Sequence, residues 1–181
     1  MAEKSGPRDF SDLILRPIAL TDVDDFMVWA TDPRVSKFCL WETYNSRDQA
    51  VEYIQNQAIP HPWLRAICVD GRAVGTITVT PGSGGDRCRG ELGYVLAYDY
   101  WGKGIMTRAV EMVGGAIFEE LPELQRVEAM VDVENGRSQR VLEKAGFVKE
   151  GVLRKYRVLK GKTVDEAVFS IVRHDCSSSS L

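Results

Sequence analysis

The sequence has few of the residues from which metal sites and disulfide frameworks are built. It holds four cysteines and two histidines among 181 residues, and the cysteines are scattered without a C-x-x-C pair. Structural metal sites and small disulfide-bonded domains use cysteines at short, regular spacings. We therefore expect no metal and no disulfide framework, and a reducing location in the cytoplasm, with the nucleus as a second location.

Long apolar runs and an excess of basic residues are also missing. No run approaches the ~20 apolar residues of a membrane span, and residues 1–8 lack the apolar core of a signal peptide. Lysine and arginine number 23 against 26 aspartates and glutamates, which leaves a net charge of −3. Neither a membrane nor nucleic acid is therefore expected as a direct partner.

The composition that remains is that of one globular domain. Hydrophobic residues make up 44% of the chain and charged residues 27%, which allows a core of good size at this length. We predict a flexible N-terminus over residues 1–10, a single domain over residues 11–175, and a flexible tail over residues 176–181 that is mostly serine.

Strand and helix signals alternate in the first third of the chain. Residues 13–17 are typical of a short strand, which the proline at its end pushes to a sheet edge. Thr21 is expected to cap a first helix, which Asp32-Pro33 ends. Ser46 with Gln49 three residues later matches a capping box and predicts a second helix.

Three aromatic residues, Phe38, Trp41 and Tyr44, lie between these helices without a clean period. They either fill the core under a loop or line a substrate cleft, and the pattern favours neither.

Three strands then lead to a turn that holds two glycines. Residues 63–69 and 73–80 flank Asp70-Gly71, a strong hairpin signal, and residues 89–97 form the next strand. Behind that strand come Trp101, Gly102, Lys103, Gly104, Ile105 and Met106, which lead into a helix over residues 109–119. A strand, a glycine turn and a helix start form an anion site, because the first amides of a helix lack intrahelical partners. The alternative is a tight turn without a ligand.

The last third of the chain predicts a strand over residues 126–131, a helix over residues 135–145 with Gly146 as its C-cap, and a hairpin over residues 147–159 and 163–173. The order implies an α/β (α+β) fold with a mixed, mostly antiparallel sheet of six to seven strands and helices on both faces. The helix after the glycine turn joins two neighbouring parallel strands.

Three blocks of sequence resemble the GCN5-related N-acetyltransferase (GNAT) superfamily, in particular its ribosomal-protein N-terminal alanine acetyltransferases. They are LILRP with TDVD at residues 13–24, ELGY with WGKGIM at residues 91–106, and NGRS with VLEKAGF at residues 135–147. The resemblance implies the GNAT fold, in which the central parallel strands splay apart. It also implies acetyl-CoA as co-substrate.

The resemblance implies a position for each part of the cofactor. Its pyrophosphate would lie on the amides of residues 101–106, and its pantetheine arm would run beside the backbone of Tyr94, Val95 and Leu96. Asn135 would hydrogen-bond that arm, and Ser138 would lie near the sulfur. The residues alone allow blander roles, in which Asn135 is an ordinary N-cap and Ser138 a solvated helix residue.

One residue departs from the family pattern. Asp99 stands three residues before the first glycine of the turn, where the family has glutamine or arginine. A carboxylate beside a pyrophosphate is unfavourable, so we expect Asp99 to face solvent or an internal partner.

The implied reaction is attack of a neutral amine on the thioester. Glu91 is the candidate base, acting directly or through a water; its alternative is a surface carboxylate paired with Arg89 or Arg126. Ser138 or Tyr156 is the candidate proton donor to the sulfur. Some relatives carry a carboxylate where this chain has Arg157, so their base cannot be copied here.

An α-amino group asks less of a base than a lysine does. At pH 7.5 an amine with a pKa of about 8 is roughly one quarter neutral, against about one part in a thousand for lysine. A protein or peptide N-terminus is therefore the first acceptor. A polyamine or amino-sugar, or a non-catalytic acyl-CoA-binding role, are the alternatives. The chain is expected to be a monomer or homodimer.

Overall fold

The structure, a computed structural model, describes residues 12–176. Seven strands form one sheet in the order β1-β2-β3-β4-β5-β7-β6. They are β1 (Ile14–Arg16), β2 (Leu64–Val69), β3 (Arg72–Pro81), β4 (Arg89–Leu96), β5 (Arg126–Asp132), β6 (Val148–Leu159) and β7 (Lys162–Val172). The helices are α1 (Val23–Ala30), α2 (Pro33–Ser36), α3 (Arg47–Tyr53), α4 (Ile105–Glu120), α5 (Gly136–Lys144) and α6 (Arg173–Cys176). The predicted mixed sheet is confirmed.

The central strands β4 and β5 are parallel, and they separate after three residues. They pair only from Arg89 opposite Arg126 to Glu91 opposite Glu128. Beyond that point β4 stays paired with β3 as far as Leu96, and β5 with β7 to its end. A gap therefore opens between β4 and β5 toward their carboxyl ends, which confirms the splayed parallel pair.

Two apolar cores hold the helices on opposite faces of the sheet. α4 buries residues four apart on one face, Ile105, Ala109, Val113 and Ile117, against the sheet. On the other face α1 and α3 pack around Trp29. Burial of each such side chain contributes about 1.5–3 kcal/mol to stability before conformational entropy is counted, so apolar contacts hold a helix layer against each face of the sheet.

The predicted cap of the first helix is wrong. The chain enters α1 through a 3₁₀ turn at Leu20–Asp22, and Asp22, not Thr21, is the N-cap. The Asp22 carboxylate accepts hydrogen bonds from the Ala19 amide at 2.9 Å and from two nitrogens of Arg16 at 2.6 and 2.8 Å. Its position is decided by this partner on β1, which no local pattern reveals.

The turns follow the sequence more closely. Asp70 and Gly71 have φ values of 51° and 76°, and Lys160 and Gly161 have 47° and 78°, which are the left-handed conformations of tight hairpin turns. Asp32-Pro33 follows the end of α1 as predicted, but it also begins the short helix α2, because the Asp32 carboxylate caps the Arg34 amide at 2.9 Å.

The predictions of flexibility for residues 1–10 and 177–181 lie outside the described residues, whereas Cys176 ends α6. Within residues 12–176, no helix has the length and apolar character needed to cross a membrane.

Candidate active site

The glycine turn has the open geometry of an anion site. Gly102 and Gly104 have φ values of 73° and 83°, and a Cβ added at either would meet nothing within 4 Å. Other side chains are strained in this conformation. The helix begins earlier than predicted, at Ile105, and its first bond runs from the Arg108 amide to the Gly104 carbonyl at 3.0 Å. The amides just before Arg108 therefore have no carbonyl partner within the helix.

Trp101 ties this turn to its neighbours. Its indole Nε1 donates to the Leu96 carbonyl at 2.7 Å, which closes the turn over the end of β4. The guanidinium of Arg137 lies 5.2 Å from the Trp101 ring centroid, so the start of α5 meets the turn. Arg137 brings a cation to the anion site that we did not expect; its place inside the NGRS block is the signal that could have found it.

A hydrogen bond across the site joins two predicted residues. The Tyr94 hydroxyl and the Ser138 Oγ are 2.7 Å apart, and either oxygen can be the donor; the Tyr94 hydroxyl can instead donate its one proton to the Ser138 carbonyl, at 3.2 Å. Burial raises the pKa of Tyr94 to about 12, so the phenol keeps its proton at neutral pH. We expected only the Tyr94 backbone to contribute; its side chain is a further candidate.

Asn135 is the N-cap of α5, which agrees with its interpretation as an ordinary helix cap. Its Oδ1 accepts from the Ser138 amide at 3.2 Å. The cap uses the oxygen of the side chain and leaves the amide NH₂ as a donor. Its contact with a cofactor stays a prediction.

Glu91 lies on the other face of the sheet, at the point where the gap opens. It is exposed, as the alternative of a surface carboxylate has it, and within the described residues its side chain makes no hydrogen bond or ion pair. Its predicted partners are wrong: Arg89 and Arg126 both bind Glu128, the latter at 2.8 Å. Glu128 is buried beside Glu91 in the parallel register and holds both cations, so the Glu91 carboxylate stays available.

Two further carboxylates, Asp132 and Glu166, are buried near this gap. They are opposite each other on β5 and β7. Arg157 Nε lies 2.9 Å from Glu166 Oε1, so the departure from the family pattern at Arg157 is matched by a carboxylate on the adjacent strand.

Tyr156 stands apart from the other candidates. It is 49% exposed, and its ring lies 5.7 Å from the Arg157 guanidinium. Its role as a proton donor stays a prediction. Asp99 is exposed in the short turn before the glycines, as we expected of a carboxylate near a phosphate site.

Two aromatics of the loop before α3, Trp41 and Tyr44, pack against each other, and Tyr44 also packs against α1. Tyr44 lies 5.6 Å from Phe26 and 5.7 Å from Trp41 between ring centroids, which supports the core-filling interpretation for Tyr44. The same loop meets the β6–β7 turn, where Lys160 Nζ donates to the Trp41 carbonyl at 3.1 Å and to Glu42 Oε2 at 3.0 Å.

Comparison with known proteins decides the family. Residues 12–148 match the sequence model of the acetyltransferase (GNAT) domain. The chain belongs to the GNAT acetyltransferases. It is 30% identical over 175 residues to the uncharacterized N-acetyltransferase p20 of Bacillus licheniformis, which covers 90% of this chain and 94% of that one. The GNAT chain described here is therefore an acetyl-CoA-dependent N-acetyltransferase, and of the alternatives the non-catalytic binder loses its support.

Other similar proteins differ in what they acetylate. This GNAT chain is 36% identical over 87 residues, 48% of its length and 47% of the other's, to the putative ribosomal N-acetyltransferase YdaF of Bacillus subtilis. It shares its fold with spermidine N-acetyltransferase from Vibrio cholerae (TM-score 0.77, 22% identity, 93% and 99% of the chains). RimL, a ribosomal L7/L12 alpha-N-protein acetyltransferase, is as similar (TM-score 0.76, 18% identity, 88% and 93%).

Among the described residues, no group of three or more histidine, cysteine, aspartate or glutamate side chains could hold a metal ion.

Proposed function

We propose that this GNAT enzyme acetylates the α-amino group of a protein or peptide N-terminus. One observation carries the proposal: the gap between β4 and β5 has the glycine turn and α5 on one face of the sheet and an unpaired Glu91 on the other. A cofactor from the first face and an amine from the second would meet in the gap.

The backbone of β4 suits the predicted cofactor arm. Once β5 diverges after Glu91, the alternate residues of β4 that point away from β3 direct their N–H and C=O groups into the gap. An extended ligand with amide groups, such as pantetheine, can pair there as an added strand. Alternate residues of the stretch Tyr94, Val95 and Leu96 would supply those groups, and the amides of the glycine turn would hold the pyrophosphate.

The residues divide the chemistry between the two faces. Acetyl-CoA, when bound, supplies an activated acetyl thioester. Glu91 would take the proton of the incoming amine, directly or through a water. Ser138, held by the buried phenol of Tyr94, would donate a proton toward the sulfur. An α-amino acceptor fits an exposed base such as Glu91, because roughly a quarter of such amines are already neutral at pH 7.5.

A small amine is the second candidate acceptor. The carboxylates of Glu91, Asp132 and Glu166 make the amine side of the gap acidic, which favours a cationic acceptor such as a polyamine. The fold neighbours include enzymes of both kinds, so the fold does not choose between them.

A thiol-release assay with acetyl-CoA tests both candidates. Peptides that begin with alanine, spermidine and an amino-sugar would be offered in parallel at neutral pH. We expect the peptide to give the highest kcat/KM, because it needs the least help in deprotonation. Faster turnover of spermidine would replace the first candidate with the second. Turnover of none of the three would contradict both.

A further inference from the structure

Glu166 is a buried carboxylate of which only one oxygen is used. It is 5% exposed on β7, and Oε1 is bound by Arg157 at 2.9 Å. Oε2 is also buried, and among the described residues it has no hydrogen-bond partner. A buried carboxylate oxygen without a donor is costly for a fold to keep, so a missing donor is the natural explanation.

The oxygen lies on the amine side of the sheet. Ala167 and Phe169, one and three residues after Glu166 on β7, belong to the core under α4. Because side chains alternate along a strand, Glu166 lies on the opposite face. That face is also the one of Glu91, since Leu92 next to Glu91 belongs to the same α4 core. Glu166 is paired with Asp132, the last residue of the strand that borders the gap.

The charges around Glu166 are mainly negative. Burial is the largest cause that raises its pKa; the carboxylates of Glu91 and Asp132 raise it further, whereas Arg157 lowers it. Among the described residues, the charges that act on Glu166 are therefore those of two carboxylates, on β4 and β5, and of one guanidinium, on β6. A cationic donor is the ligand that would satisfy both the free oxygen and the excess of negative charge.

We propose that Glu166 binds the ammonium group of the acceptor amine through its free Oε2. This proposal rests on the proposed function and adds to it the residue that binds the acceptor in its protonated form, before Glu91 takes the proton that the amine must lose to attack the thioester. An ammonium group has three donors and no acceptor, so it can satisfy Oε2 and still reach a second carboxylate. Arg157 holds the other oxygen and thereby fixes the direction of the carboxylate. Glu166 is then a residue of acceptor specificity, distinct from the base.

The test measures amine and cofactor separately in the variant Glu166→Gln, which keeps the shape and removes the charge. Steady-state kinetics would use an alanine-terminated peptide and spermidine with acetyl-CoA at neutral pH. We expect KM for the amine to rise at least about tenfold. The fall in kcat should be smaller, so that most of the loss in kcat/KM comes from KM. The rise in melting temperature caused by acetyl-CoA should stay as in the wild type.

Glu111→Gln is the matched control. Glu111 also pairs with a single arginine, Arg108 at 3.6 Å, but it lies on α4, on the other face of the sheet. Its KM for the amine should stay at the wild-type value. If the glutamine variant does not fold, Glu166→Asp replaces it in the test. Aspartate keeps the negative charge that Arg157 binds, but its side chain is one methylene shorter, so the KM for the amine should rise several-fold.

The outcomes are distinct. An unchanged amine KM in the folded Glu166 variants, with an active wild type, overturns this inference and leaves the proposed function standing. A parallel loss of acetyl-CoA binding and melting temperature would mean a structural role and also overturns it. A wild type that acetylates none of the amines overturns the proposed function, and this inference with it.

Discussion

The hydroxyl of Tyr94 lies 2.7 Å from the Oγ of Ser138, and this bond joins β4 to α5 across the predicted cofactor slot. Because desolvation raises the pKa of the Tyr94 phenol, the phenol stays protonated, and its bond with Ser138, in which either oxygen can donate, holds the Ser138 hydroxyl in place. A proton donor to a leaving thiolate needs such a fixed orientation.

Tyr94→Phe removes the bond and keeps the ring. We expect kcat to fall about tenfold, with a loss of about 1 kcal/mol in the free energy of unfolding, while acetyl-CoA still stabilises the protein. Steady-state kinetics and urea unfolding measure the two effects. Tyr156→Phe is the control and tests the other candidate donor; a larger loss of kcat there would transfer the role from Ser138 to Tyr156.

Gly102→Glu should abolish the thermal stabilisation by acetyl-CoA. The new carboxylate would lie in the anion site, and the φ of 73° adds backbone strain of about 1–2 kcal/mol. The readout is the shift in melting temperature with millimolar acetyl-CoA. Gly71→Glu is the matched control, since Gly71 has a φ of 76° and equally open space in the β2–β3 hairpin. The control should lose stability but keep its shift; an equal shift in both variants would place the pyrophosphate elsewhere.

Glu91→Gln should lower kcat by about a hundredfold at neutral pH, as loss of a general base does, with little change in acetyl-CoA binding. Rates from thiol release and binding from thermal shift separate the two. Glu123→Gln, at an exposed position after α4, should have no effect on either. Normal turnover by Glu91→Gln would remove Glu91 from the mechanism.

Asp22→Ala should lower the free energy of unfolding by about 2–3 kcal/mol. The substitution leaves Arg16 without the carboxylate that it binds through two nitrogens, and the Asp22 side chain is nearly buried. Asp24→Ala is the control: its ion pair with Arg47 is mostly exposed and should contribute less than about 1 kcal/mol. Urea unfolding measures both variants. Equal losses would show that the Asp22–Arg16 pair contributes no more to the free energy of unfolding than the exposed Asp24–Arg47 pair.

Acidification should remove stability through Glu150. Hydrogen bonds from Arg126 and then Ser170 lower the pKa of Glu150 from 4.5 to about 2. A pKa that is lower in the folded state stabilises the fold above the ordinary value, and the contribution is lost as the pH falls from 4.5 toward 2. Because the side chain is 42% exposed, solvent screening limits the effect to about 1 kcal/mol. The difference in free energy of unfolding between the wild type and Glu150→Gln should be smaller at pH 3 than at pH 7, and urea unfolding at the two pH values measures it.

Much of the fold was predictable because its signals are local. Asp70-Gly71 and Lys160-Gly161 adopt the turns that their residue types favour, and the strands beside them follow. Ser46 caps α3 through the Gln49 amide as the box predicts, at 3.3 Å, but the Gln49 side chain returns to Asn45 rather than Ser46. Thr21 failed as a cap because its neighbour Asp22 has a partner on another element.

The candidate site was predictable only in part. The glycine turn and the NGRS block stood out by their spacing, and their family follows from that pattern. The Tyr94–Ser138 bond, the approach of Arg137 to Trp101 and the free oxygen of Glu166 were not visible, because each depends on elements far apart in sequence.

The sequence by itself determined the order of strands and helices, the glycines that leave amides open at the start of α4, and the family to which those motifs belong. Tertiary structure alone decided where β4 and β5 part. It also decided that Glu128 binds both Arg89 and Arg126, so that among the described residues the Glu91 side chain has no partner. In the same way it decided that Glu166 is buried with one carboxylate oxygen that lacks a donor there. The physical reason is that turns and caps are set by the torsion angles of a few neighbouring residues, whereas the partner of a charged side chain is set by whichever strand the fold places beside it.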